Sequence, residues 1–172
     1  MYFDRTAQSV SVAIRPAKPN LGLCMYEMTK FFHLAAGLIW LGGMTILLWA
    51  VRPVAIAQLE PHQRIPLLNS ILSRFLKSVW LCIVVLLITG SLMFAGVDMN
   101  IAPTGWHAML GLGLTMFAIF GHLYFVPFRR LQRSTAMADW PAAGRHLAKI
   151  HVLVVTNFVL GWLAVAAIVI WR

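Results

Sequence analysis

The sequence predicts an all-α integral membrane protein, a four-helix bundle with both termini on one side of the bilayer. Three observations carry that expectation. Of 172 residues, 60% are hydrophobic and only 11% charged, too few charges to cover the surface of a soluble domain. Four uncharged stretches, about 31–51, 78–97, 106–128 and 152–171, each have roughly the 20 residues a helix needs to cross hydrocarbon. The charges gather between these stretches instead of alternating with apolar residues.

The elements follow in order. Residues 1–25 form an N-terminal tail, expected to be disordered, with no apolar core that would make it a span or a signal peptide. Residues 26–172 form one transmembrane domain. Span 1 starts at Phe31, and Pro53 just beyond it is read as its end; Pro103 precedes span 3 as a helix-start signal. Trp49 and Trp80 are expected at one interface and Trp106 and Trp171 at the other, with Trp40 and Trp162 deeper. Cys24 and Cys82 fall at different depths, which argues against a disulfide between them.

Charge sets the orientation. Arg52, Arg64, Arg74 and Lys77 flank the first connection, and Arg129, Arg130, Arg133, Arg145 and Lys149 the third. The second connection, "DMNIAPTG", has no positive charge. The positive-inside rule makes segments 52–77 and 129–151 cytoplasmic, in a bacterial inner membrane with both termini periplasmic. The net charge of +9 is accounted for by anionic lipid headgroups, or by carboxylates held at the cytoplasmic boundary, and calls for no nucleic acid.

The histidines are the candidates for chemistry. His62 and His146 lie in or beside basic loops and read as solvated surface. His33 and His107 fall near the outer membrane face, His122 and His151 near the inner one. An ionisable group inside a span is costly and is by default a functional candidate. His107 and His122, 15 residues apart, lie about 22 Å apart along a helix and about 60° apart around it. If that sector faces the interior, His33 meets His107 and His122 meets His151, and imidazoles from two helices can hold b-type haem, one or two per chain. Gly37 and Gly111 follow the outer pair by four residues, leaving room for a flat macrocycle. Arg74, Lys77, Arg129 and Arg130 are candidates for its propionates. The partners implied are the lipid bilayer with a quinone, a porphyrin or a redox protein, in a homo-oligomer or a larger membrane complex.

A second chemistry stands beside it. Cys24, Met25, Met28, Met93, Met99 and Met109 concentrate soft sulfur in the outer half, and thiolate, thioether and imidazole suit Cu(I). No acid–base dyad, phosphate-binding glycine loop or nucleophile motif is present, which leaves hydrolysis and group transfer without support.

"HLAAGLIWLGG" at 33–43 resembles the His-(x)6-Trp-x-Gly-Gly signature of the CopD family of membrane proteins. "SRFLKSVWLCIVVLLITG" at 73–90, with its Arg-led start and closing Thr-Gly, resembles the next helix of that family, and 103–130 is similar to its third. The layout also resembles HemJ, the membrane protoporphyrinogen oxidase, onto which His33, Trp106 and His122 map. HemJ has a lysine about four residues after that tryptophan, where this chain has Leu110. The resemblance thus implies a haem-binding redox protein of the membrane, an oxidoreductase or electron carrier, with copper transport or copper binding of the CopD type as the alternative.

Overall fold

The computed structural model describes residues 21–95, 97–98 and 102–171, and the tail expectation for 1–20 lies outside them. The described chain is helical throughout: α1 (Leu21–Ile46), a wide π-turn (Leu47–Val51), α2 (Arg52–Gln58), α3 (Pro61–Phe94), α4 (Thr104–Leu123), a second π-turn (Tyr124–Phe128), α5 (Arg129–Ala136) and α6 (Trp140–Ile170). Four continuous rods result, Gly22–Gln58, Pro61–Phe94, Thr104–Ala136 and Trp140–Ile170, each long and apolar enough to cross a membrane. Their outward side chains are apolar: Leu38 is 70% exposed, Ile88 57% and Val159 50%. That pattern suits lipid as the solvent, and the protein is integral to a membrane.

Two expected boundaries shift. Helix α1 begins at Leu21, so residues 21–25 of the expected tail are helical. The connections read as loops at 52–77 and 129–151 are mostly helix, with turns only at 59–60 and 137–139. Pro53 does not end its helix. A proline removes an N–H donor and presses on the carbonyl four residues back. The π-turn before Pro53 and the one containing Pro127 widen the backbone there, and the rods continue. Pro103 does mark a start, as the cap of α4. The α5–α6 turn closes with Ala138 at φ 54°, and the Asp139 carboxylate accepts a hydrogen bond from the Ala142 amide at 3.0 Å, capping α6.

Helix α1 packs on α3 and α4 on α6, and α6 also touches α1 and α3. His33 of α1 meets Thr89 of α3, and Gly43 further along α1 meets Phe75 further back in α3, so the pair is antiparallel. The Gly105 amide donates to the Trp171 carbonyl at 3.0 Å, joining the start of α4 to the end of α6. The helix ends at Leu21 and Ile170 therefore share one end of the bundle, and the two cationic turns share the other. The core is a column in which Trp40 stacks on Phe117 at 5.9 Å and meets Phe120 edge-on. Trp80 packs edge-on against Phe120, Tyr124 and Phe125. Gly161 lets α6 close on Leu41 and Met116, and Gly43 leaves its place to the Phe75 ring.

Candidate functional site

The inward stripe of α1 and the π-turn after it has helical spacing: His33, Ala36, Trp40, Met44 and Leu47. All but His33 are buried, and His33 is half-buried at the outer end of the stripe. Its Nδ1 lies 2.9 Å from the Thr89 hydroxyl oxygen. The Thr89 hydroxyl donates its one proton to the Val85 carbonyl at 2.6 Å. The hydroxyl oxygen can therefore only accept from His33, so Nδ1 carries the ring proton and Nε2 keeps its lone pair. Gly90 borders the ring: a Cβ there would meet the imidazole Cε1 at 3.6 Å, an ordinary van der Waals contact. A histidine tethered through one nitrogen, with the other making no hydrogen bond among the described residues, is arranged as metal-binding histidines are.

The other candidates are placed differently. His107 and His122 are exposed. The buried stripe of α4 is Met116, Phe120 and Leu123, so the sector His107 and His122 share is the outward one, and His33 and His107 are not brought together. Gly111 is exposed and Gly37 half-buried; a Cβ at either would meet nothing within 4 Å. His151 is half-buried, with its Nδ1 covered and without a partner among the described residues. His62 is exposed as expected, whereas His146, read as surface, is half-buried with a covered Nδ1. Arg74, Lys77, Arg129 and Arg130 are all exposed; the Arg129 guanidinium lies over the Phe125 ring at 5.4 Å.

The sulfur candidates divide into two sets. Cys24, Met25 and Met28 are exposed on the first turns of α1, Met109 is half-buried, and Met99 lies outside the described residues. Cys24 is a free thiol, as is buried Cys82. The sequence reading missed the sulfur of the core: Met44 is 1% exposed, Cys82 5% and Met116 6%. Helical spacing assigns each to a stripe of its own helix, but nothing in the sequence marks that stripe as the inward one. On α6, Asn157 is 2% exposed and its amide donates to the Met116 carbonyl at 3.2 Å, tying α6 to α4 across the interior. Among the described residues no group of three or more His, Cys, Asp or Glu side chains converges to hold a metal ion.

In comparison with known proteins, the family model described as CopD, copper resistance protein D, matches residues 69–171. That stretch contains Thr89 and Gly90, the seat of His33, and all of α4, α5 and α6. No curated protein and no solved structure matches the chain.

Proposed function

We propose, for a chain that belongs to the CopD (copper resistance protein D) family, that its function is copper binding or copper transport in the membrane. The cargo is Cu(I), which soft thioether, thiolate and imidazole donors select. Cys24 and Met28, one helical turn apart on the exposed start of α1, are the first contact. The single observation that carries the reading is the His33–Thr89 tether at 2.9 Å, which leaves Nε2 without a hydrogen bond among the described residues, where the exposed start of the helix gives way to the core. Met44, Cys82 and Met116 supply soft sulfur deeper in. The cationic end is proposed to face the cytoplasm.

The family match favours copper over a b-type haem, as does the outward placement of His107 and His122. The test is Cu(I) entry into sealed vesicles carrying the purified protein, read by a luminal Cu(I) chelator dye. His33→Ala is expected to lower the rate about tenfold or more, and Thr89→Val to lower it as well by freeing the ring. Exposed His62→Ala leaves it unchanged. Equal rates in His33→Ala and the unaltered protein would remove His33 from the path.

A further inference from the structure

At the cationic end a cavity of about 130 Å³ opens between the first π-turn, α2, α3 and α6. Its walls are apolar, among them Leu47, Leu72 and Val154, except for Arg52, Arg64 and His151. Among the described residues no carboxylate lines it. Both arginines are half-buried, and neither forms an ion pair with another described residue. The His151 Nδ1 is shut off from solvent without a partner among the described residues. Buried or half-buried cationic and polar groups of this kind are costly when unpaired. The π-turn contributes directly: the Arg52 amide reaches back five residues to the Leu47 carbonyl, and the extra residue sets the azimuth at which Arg52 leaves the rod.

We propose that this cavity binds one phospholipid with an anionic headgroup. The phosphodiester takes the guanidinium forks of Arg52 and Arg64, which match its oxygens better than point charges would. His151 lines the same cavity and adds a further polar contact. The start of an acyl chain lies against Leu47, Leu72 and Val154. A free inorganic anion would leave those apolar walls wet. A zwitterionic headgroup would bring its own cation towards the arginines. Trp49, 72% exposed just before Arg52, is the type of residue that settles at the headgroup level. The site is independent of the copper reading.

Native mass spectrometry of the full chain released from nanodiscs tests it, with phosphatidylglycerol and phosphatidylcholine offered in equal amounts. The expected result is one retained phosphatidylglycerol, favoured over phosphatidylcholine by about tenfold or more. The pair Arg52→Gln with Arg64→Gln abolishes that preference, while Arg129→Gln with Arg130→Gln, exposed and outside the cavity, keeps it. Gly144→Leu is the second variant. Gly144 lines the cavity and an added Cβ meets nothing within 4 Å, so the leucine fills the space with every charge intact and retention is lost. Equal retention of both lipids, or loss in the Arg129/Arg130 pair to the same extent as in the Arg52/Arg64 pair, overturns the site in favour of diffuse attraction. Retention by Gly144→Leu at the unaltered level overturns it too.

Discussion

His33 shows how one hydroxyl can decide what an imidazole is able to do. Thr89 has a single proton, and the Val85 carbonyl takes it at 2.6 Å; the ring is thereby fixed with its lone pair on Nε2. In the sequence, His33 stood out because imidazole is expensive in an apolar run, and the Thr-Gly at 89–90 was visible as part of a family pattern. That the two belong to one site was not visible, because they are 56 positions apart and meet only when α1 and α3 pack. That His107 and His122 are exposed was not visible for a related reason. Their 60° separation was sound helix geometry, but periodicity on a wholly apolar helix does not say which sector faces the neighbours. A different residue carries a stability prediction. Ala138 has φ 54°, a left-handed conformation that costs a residue with a Cβ about 1–2 kcal/mol. Ala138→Gly is expected to recover about 1 kcal/mol of this, read as a raised Tm in detergent.

At the scale of elements, the apolar lengths placed all four rods, because membrane thickness dictates them. Their ends were less legible. Pro53 reads as a stop in any soluble helix, but the five-residue π-turn before it absorbs its ring, and Pro127 sits within a second such turn on the other bent rod. The amphipathic extensions at the cationic end looked like loops because their charges interrupt the apolar runs that marked the spans. Glycines give these packing statements a test. A side chain at Gly105 would run into the Ala167 and Trp171 carbonyls, which are backbone and cannot rotate away. Gly105→Val is therefore expected to cost about 2–3 kcal/mol or more. Gly113→Ala, with nothing within 4 Å of the added carbon, is expected to stabilise by up to about 1 kcal/mol through helix propensity. Thermal unfolding of the two variants side by side checks both signs.

For the whole molecule, the arrangement is two antiparallel pairs, α1 with α3 and α4 with α6, sealed by an aromatic column and polarised by charge. The turns at 59–60 and 137–139 lie among nine arginines and lysines, whereas the segment 98–105 has none. The positive-inside rule then predicts that a cysteine at Met137, 71% exposed, reacts with an impermeant thiol reagent only from the cytoplasmic side, in a background with Cys24 replaced. Labelling of intact cells at that position would reverse the orientation. This polarity was legible from the sequence because it depends on composition alone. The sulfur of the core, Met44, Cys82 and Met116, was not, because burial is a property of the assembled bundle.

The reading of this chain as a copper-handling protein is tested most directly by what the purified protein carries. Loaded with Cu(I) and desalted, it is expected to keep on the order of one copper per chain on its soft donors and to show no Soret band. A red protein with a sharp Soret band, a haem-to-chain ratio near one and no retained copper would contradict the account.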